Sequence, residues 1–374
     1  MSSFLDDLAR QALDRESRGM TRRLVVQTHD QQLDLAGNDY LGLRQHPHVQ
    51  SGAIAAVEDF GTGSGAPRLI TGTLPIHAEL EEALADHLDV EQALVFSTGY
   101  LANLGAICAL AEADTTIISD AHNHASLIDG ARLARAEVAV FPHGDLDAVE
   151  RLLRQRTTPR AMVVVESVSS ILGDAAPLTE LVELTDHHDA TLLVDEAHAV
   201  GVRGPRGGGL LRQLGLAGLD HVVVTASLSK ALAAQGGVVL GHRMLCEHLV
   251  NTARPFLFDT GLAPASAGAA LAALDVIEDE PQLGERAMAH TARLAEACGL
   301  ETPAGPLMSV LLPGSREALV AADICAAHGV RVGCLRPPST PDGTSRLRIT
   351  AHANHTEIDV AHAAKVLSEI TQPR

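Results

Sequence analysis

Lysine occupies only two positions in this chain of 374 residues, Lys230 and Lys365, so chemistry that needs a lysine amine has few places to be. Lys230 stands in VVVTASLSKAL, directly after an apolar run, among small hydroxyl side chains and shortly before GGVVLG. A lysine on a solvated loop stays protonated and inert. One partly withdrawn from water has a lowered pKa and becomes a nucleophile, which Schiff-base formation requires. Lys365 lies in a charged C-terminal stretch with helical spacing and reads as solvated. Three other stretches set polar groups immediately after apolar runs. LLVDEAHAVG carries Asp195 at the end of its run, with His198 three residues on; TTIIS is followed by HNHASL, with His122 and His124; ALVFS runs into STGYLAN through Gly99.

These residue types suit pyridoxal phosphate. A carboxylate at Asp195 beside the pyridine nitrogen keeps that nitrogen protonated and strengthens the ring as an electron sink; the bland alternative is an acid that caps a turn. His198 could bond the ring's phenolic oxygen, and a flat imidazole at His124 could stack on its face. A helix beginning near Gly99 presents free backbone N–H groups and the positive end of its dipole to a phosphate, with Ser227 and Ser229 as hydroxyl donors. Two histidines at i, i+2 also suggest a metal-dependent hydrolase built on His122, His124 and His198, although the chain has neither HExxH nor a convincing further ligand. DEAH (195–198) matches the letters of a helicase box, but such enzymes need a P-loop ending in GK[ST], and no GK dipeptide occurs. GTGSGA (61–66) follows no strong strand, so a dinucleotide site is poorly supported.

The elements that must position these groups are legible in outline. With 46% hydrophobic and 20% charged residues the chain is globular, and its length suggests more than one domain. A net charge of −19 opposes a general role on nucleic acid but leaves room for an arginine-lined pocket holding a small anion. The five cysteines are odd in number and lack a CxxC pair, which argues against disulfides and structural zinc and for small buried hydrophobes. No apolar run could span a bilayer, and MSSFLDDLARQALDRES lacks the apolar core of a secretory signal, so a cytoplasmic protein is expected.

Residues 3–18 read as an amphipathic helix with Phe4, Leu5, Leu8 and Ala12 on one face, the segment 30–43 as a short strand and turn, and 76–88 as a helix. The Gly-rich stretch 61–73 is too irregular for a regular element. ALVFS (93–97), TTIIS (115–119), VAVF (138–141), MVVVES (162–167), LLVDE (192–196), VVVTA (222–226) and VVLG (238–241) are continuous apolar runs, as expected of strands buried on both faces of a largely parallel sheet, with a helix over 101–111. Beyond a soft boundary at 255–270, strands at 308–313, 331–335 and 346–350 alternate with helices at 315–328 and 356–370. The expected organisation is 1–37, an N-terminal helix and short strand; 38–265, a large α/β domain; and 266–374, a small α+β domain. Open α/β sheets bind ligands beyond the carboxyl ends of their strands, where Asp195, the HNHASL segment and Lys230 fall.

Taken in order, NDYLGL (38–43), GTGSGAPRLITG, STGY, NHASL, DEAHAVG, TASLSKAL, RPP and TSRLRIT resemble the α-oxoamine synthases, a branch of the fold-type I pyridoxal-phosphate enzymes, over nearly the whole chain. The resemblance implies a large domain on a mostly parallel seven-stranded sheet with a small C-terminal α+β domain, and pyridoxal 5'-phosphate as cofactor. It implies Lys230 as the Schiff-base lysine and base at Cα, Asp195 at the pyridine nitrogen, His198 at the phenolic oxygen and His124 stacked on the ring. Gly99 and Tyr100 would give backbone donors to the phosphate, helped by Ser227, and Ser170 of ESVSSILGD would lie near the ring. Arg348 would hold the amino acid's carboxylate with Asn38 nearby, and Arg22 or Arg23 would approach the acyl substrate. The family is homodimeric with active sites at the interface, so residues near Thr71 would reach the partner's cofactor. RPPSTPDGTSRLRIT (336–350) points to the members that condense L-alanine with pimeloyl-CoA or a pimeloyl-acyl carrier protein for biotin biosynthesis, rather than to those making 2-amino-3-oxobutyrate or 5-aminolevulinate. Ala199, Ser169, Ser227 and the pair Ser339-Thr340 depart from the family pattern without removing an expected catalytic group.

Overall fold

The computed structural model describes residues 3–26, 32–340 and 342–371. Residues 30 and 31, at the head of the expected first strand segment, and Pro341, within the 336–350 stretch, lie outside them. Strand β1 (Leu33–Leu35) precedes the seven strands that the apolar runs form: β2 (Gln92–Phe96), β3 (Thr115–Asp120), β4 (Glu137–Phe141), β5 (Arg160–Glu166), β6 (Thr191–Asp195), β7 (Val222–Ser227) and β8 (Gly237–Gly241). These seven make one sheet in the order β2-β8-β7-β6-β5-β3-β4. The neighbours from β7 through β6, β5 and β3 to β4 are parallel, and β8 runs against both β7 and β2. The mostly parallel sheet expected from the sequence is therefore present, with one reversed strand.

Alternation along the strands assigns each side chain to a face. Ala161, Val163 and Val165 of β5, Leu192 and Val194 of β6, and Val222, Val224 and Ala226 of β7 belong to one hydrophobic core. Met162 and Val164, Leu193, and Val223 belong to another, on the opposite face, together with Ala102 and Ala106 of the helix Gly99–Leu110 and Leu127 and Ala131 of the helix Ala125–Leu133. Successive residues of a strand point to opposite faces, so counting on by two places Glu166, Asp195, Thr225 and Ser227 on this second face. The two helices that open with STGY and NHAS cover the same face. One parity rule thus brings strand-end acids, phosphate-seat helix and histidine segment together.

Three further strands, β9 (Leu307–Leu312), β10 (Val330–Leu335) and β11 (Ser345–Thr350), form a second sheet in the order β1-β10-β11-β9. Its core of Leu35, Val330, Val332, Leu347 and Ile349 is closed by helical residues such as Leu294, Ala363 and Leu367. The N-terminal strand is thus built into the sheet of C-terminal strands. The helix Pro264–Asp279 buries Ala267, Ala270, Ala273 and Ile277 in the large core. It crosses the helix Pro47–Phe60 so closely that a Cβ on Gly268 would come 2.4 Å from the Gly52 carbonyl, a contact only glycine permits. The expected N-terminal helix, Ser3–Ser17, is present but buries none of its side chains. Among the described residues, no helix is long and apolar enough to cross a membrane.

The Gly-rich stretch, expected to form no regular element, winds into a short π-helical turn over Arg68–Gly72 and is held by one buried ion pair. Arg68 is 8% exposed and donates from Nη1 to Glu81 Oε1 (2.9 Å) and from Nη2 to Oε2 (3.1 Å), while Glu81 Oε1 also accepts from the Val95 N–H of β2. Removing one partner strands a desolvated charge, which costs about 3–5 kcal/mol. Glu81→Ala and Arg68→Ala should therefore each lower stability by that order in urea titration. The double variant Arg68→Met/Glu81→Leu should recover much of the loss, because no unpaired charge is left buried.

Candidate active site

Strand ends β5, β6 and β7 carry Glu166, Asp195 and Ser227 side by side, and Lys230 follows in the short connection to β8. Asp195 is 6% exposed; one carboxylate oxygen accepts from Asn103 Nδ2 at 2.8 Å and the other from the Ala197 N–H at 2.9 Å. Asn103 comes from the helix Gly99–Leu110, and the same nitrogen lies 2.9 Å from Ser126 Oγ. His124 caps the helix Ala125–Leu133, its Nδ1 meeting Ser126 Oγ at 2.8 Å and accepting from the Ser126 N–H at 3.3 Å. Asp195, Asn103, Ser126 and His124 therefore form one connected array.

Lys230 and the groups just named wall an inner cavity of about 300 Å³ with Thr98, Gly99, Tyr100, His198 and Ser227. Burial lowers the Lys230 pKa, against the upward pull of Asp195 and Glu166. Burial also lowers the His124 pKa and holds that of His198 well below its usual value, with Lys230 and Arg348 pushing His198 the same way. Burial thus favours the neutral form of both imidazoles. His198 Nδ1 is 2.7 Å from the Tyr40 hydroxyl, which leaves Nε2 for the cavity.

One end of this cavity is made for an anion. Thr98 caps the helix Gly99–Leu110 by accepting from the Leu101 N–H at 3.1 Å, and the Gly99 and Tyr100 N–H groups precede the first intrahelical bond. A Cβ on Gly99 would sit 3.3 Å from Ser227 Oγ, and one on Gly237 only 2.4 Å from Gly99 Cα, so glycine at both places lets the helix start, β7 and β8 meet. Ser227 and Ser229 hydroxyls lie 2.7 Å apart beside it. The Tyr100 hydroxyl instead donates to Asp129.

An outer cavity of about 730 Å³ continues from the inner one past His124, His198 and Lys230 to Asn38, Ser170, Ile171, Leu335, Pro338 and Arg348. Arg348 Nε donates to the Ser170 carbonyl (2.8 Å), Nη1 to Asn38 Oδ1 (3.0 Å) and Nη2 to the Tyr40 hydroxyl (3.4 Å). Ser170 belongs to this outer cavity, and both its N–H and its hydroxyl donate to Glu166 Oε2, at 3.1 and 3.0 Å. Arg22 donates to the Arg336 carbonyl (3.3 Å) and to Ser339 Oγ (3.0 Å) at the lip of the cavity; both Arg22 and Arg23 are exposed. Thr71 is exposed and lines neither cavity.

His122 and His124, the candidate metal pair, diverge. His122 stacks on His143 (4.7 Å, 18° between planes) and lines a small cavity of about 40 Å³ with Glu166, one that Lys230 does not line. Among the described residues, no group of three His, Cys, Asp or Glu side chains is disposed to hold a metal ion. The sequence reading missed Asn103, Ser126, Tyr40 and Glu166. Glu166 ends an apolar run just as Asp195 does, so the same signal was there to find it. Asn103 and Tyr40 lie inside STGYLAN and NDYLGL, but nothing in their spacing showed what they touch.

Fold and site together are those of a fold-type I pyridoxal-phosphate enzyme. The family model for aminotransferase class I and II matches residues 30–367. An 8-amino-7-oxononanoate synthase of Mycolicibacterium vanbaalenii is 52% identical over 344 residues, covering 92% of this chain and 90% of that one. One of Mycolicibacterium smegmatis is 51% identical over 358 residues, 95% of this chain and 94% of that one. Among solved structures, a serine palmitoyltransferase from S. paucimobilis with a bound PLP–myriocin aldimine superposes with a TM-score of 0.91 at 30% identity, over 98% of this chain and 97% of that one. The chain belongs to the class I and II aminotransferase family, in its α-oxoamine synthase branch, and the curated relatives that share half its residues are 8-amino-7-oxononanoate synthases. Its cofactor is pyridoxal phosphate.

A charged clamp backs the site. His143 Nδ1 lies 2.8 Å from Asp120 Oδ1 and Nε2 lies 3.0 Å from Asp174 Oδ2, which ties the loop carrying Ser170 to the end of β3. The hydrogen bonds to Asp120 and Asp174 push the His143 pKa up to about 10. An imidazolium favoured by folding adds stability that is fully present below its unfolded pKa, near 6.5, and is lost as pH rises through about 10. In denaturant titrations His143→Ala should cost roughly 1–3 kcal/mol at pH 6. The gap between wild type and variant should close as pH rises from 6.5 past 10; a constant gap would mean that His143 is neutral in the clamp.

Proposed function

We propose that Lys230, Asp195, His124 and His198 are the working groups of a decarboxylative condensation, with Arg348 and Asn38 receiving the amino acid. The reaction joins L-alanine to a pimeloyl thioester and yields 8-amino-7-oxononanoate, CO₂ and the free thiol, a step of biotin biosynthesis. The observation that carries the residue assignment is the shared wall: Lys230, His124 and His198 line both the inner cavity and the outer one, which ends at Arg348.

The residues of the inner cavity fit the cofactor. The Gly99 and Tyr100 N–H groups and the Ser227 hydroxyl suit its phosphate, Asp195 its ring nitrogen, His198 Nε2 its phenolic oxygen and His124 its face. When bound, pyridoxal phosphate supplies a carbonyl for covalent capture of amines and a ring that accepts the electrons released at Cα. Asn103 and the Ala197 N–H fix Asp195, so its charge is held in one orientation rather than found at each turnover. Lys230 would hold the cofactor through its amine, and burial, by disfavouring the ammonium form, would suit that amine to take the Cα proton. Arg348, held by Asn38, Tyr40 and the Ser170 carbonyl, takes the alanine carboxylate and aims the Cα–H bond at Lys230. Ile171, Leu335 and Pro338 offer an apolar wall to the acyl chain. Arg22 shapes the lip of that channel through Ser339, and the exposed Arg22 and Arg23 guanidiniums would meet an anionic acyl donor there.

We further propose a cytoplasmic homodimer. The helix Ser3–Ser17 buries no side chain, and Leu69, Ile70 (74% exposed) and Phe258 (68% exposed) add apolar surface near Thr71, the kind of surface a second copy covers.

Release of thiol is the direct assay. Turnover should be fastest with L-alanine and a pimeloyl thioester; faster turnover with glycine and acetyl- or succinyl-CoA would move the chain to another synthase of the same branch. Arg348→Ala should raise KM for L-alanine by about 10–100-fold, as loss of a charged hydrogen-bonding partner does, with a smaller change in KM for the thioester.

A further inference from the structure

Glu166 is a buried acid that the mechanism above does not use. It ends β5 in register with Asp195 at the end of β6, and neighbouring strands stand only about 4.8 Å apart. It is 8% exposed and lines the inner cavity beside Asp195, Lys230, His124 and His198. Glu166 also lines the small cavity of about 40 Å³ that Asp120, His122, His143 and Asp174 wall. Two carboxylates this close in a dry site do not both ionise. Asp195 has a donor on each oxygen, whereas Glu166 takes both Ser170 donors on Oε2 alone. The proton of a neutral Glu166 therefore falls on Oε1, which meets no protein partner among the described residues.

Resting on the condensation reading above, we propose that Glu166 is a positioning residue that works as a neutral carboxylic acid: Oε2 anchors Ser170, whose carbonyl holds Arg348 for the substrate carboxylate, and Asp195 is left as the single negative side chain of the inner cavity. The groups that face Glu166 agree with this. Burial first, and then Asp195, push its pKa up to about 8, against the Ser170 hydrogen bonds and Lys230. Arg348 commits its Nε to the Ser170 carbonyl, and the His143 imidazolium is paired with both Asp120 and Asp174. The sign follows. Below about pH 8 Glu166 keeps its proton; above it, a second carboxylate favours the ammonium form of Lys230 and repels the incoming carboxylate.

The test compares Glu166→Gln, which keeps an acceptor for Ser170 and a donor toward the cavity, with Glu166→Ala, which keeps neither. Glu166→Ala should raise KM for L-alanine about tenfold, with a smaller effect on kcat. Glu166→Gln should restore KM to within about threefold and abolish the fall of kcat/KM that the wild type shows as pH rises through about 8. Infrared titration of the full chain, with and without cofactor, should show a carboxylic-acid carbonyl band that disappears near that pH and is missing in Glu166→Gln. Glu166→Gln as impaired as Glu166→Ala, a basic limb retained in Glu166→Gln, or no such band in the wild type would overturn the proposal. The infrared titration needs no acyl donor, so it stands or falls separately from the assigned reaction.

Discussion

The site depends on how few unpaired charges a dry strand-end cleft tolerates. Parallel strands β5, β6 and β7 end together, and the parity of their side chains sends Glu166, Asp195 and Ser227 to the same face, beneath the helices Gly99–Leu110 and Ala125–Leu133. Lys230 enters that space from the connection after β7. Burial disfavours its ammonium form and the two acids favour it, so the base proposed at Lys230 would be set by a balance of three buried groups. Every other contact at the inner cavity, from Asn103 on Asp195 to Tyr40 on His198, keeps that balance in one geometry.

The two sheets divide the labour. The large sheet supplies the groups proposed for covalent and proton-moving work from strand ends and helix starts, where backbone positions are rigid. The small sheet supplies Arg348 from β11, and Arg348 returns to the large domain through the Ser170 carbonyl and to the N-terminal segment through Asn38 and Tyr40. The proposed carboxylate site is thus built across the junction. The Asp120–His143–Asp174 clamp ties the Ser170 loop to the end of β3.

Much of this was legible in the sequence, for a physical reason. Strands buried on both faces are continuous apolar runs, and ligands bind where such runs end, so Lys230, Asp195, His198 and His124 stood out by position and type. The seven-stranded sheet followed from the same runs, and the small sheet from 308–313, 331–335 and 346–350. Pairing was less legible. Nothing local in LDL says that β1 joins β10, some 300 residues away, rather than a neighbour. The inner contacts were also hidden: Asn103 looks like any polar residue on an otherwise apolar helix until the helix is docked over Asp195. Glu166 was passed over because its run continues into ESVSSILGD, where the serines drew attention first. Ser170, expected near the ring, lines the outer cavity with His124 and Lys230 and gives both its donors to Glu166, a buried acid that needs partners.

The claim on which the rest stands is that Lys230 alone carries the covalent link to the cofactor. Borohydride reduction of the purified protein, followed by proteolysis and mass spectrometry, tests it directly. The account predicts one peptide bearing the reduced pyridoxyl group, the one containing Lys230, and no fixed cofactor in Lys230→Ala. A label at Lys365, or a full label in Lys230→Ala, would contradict it.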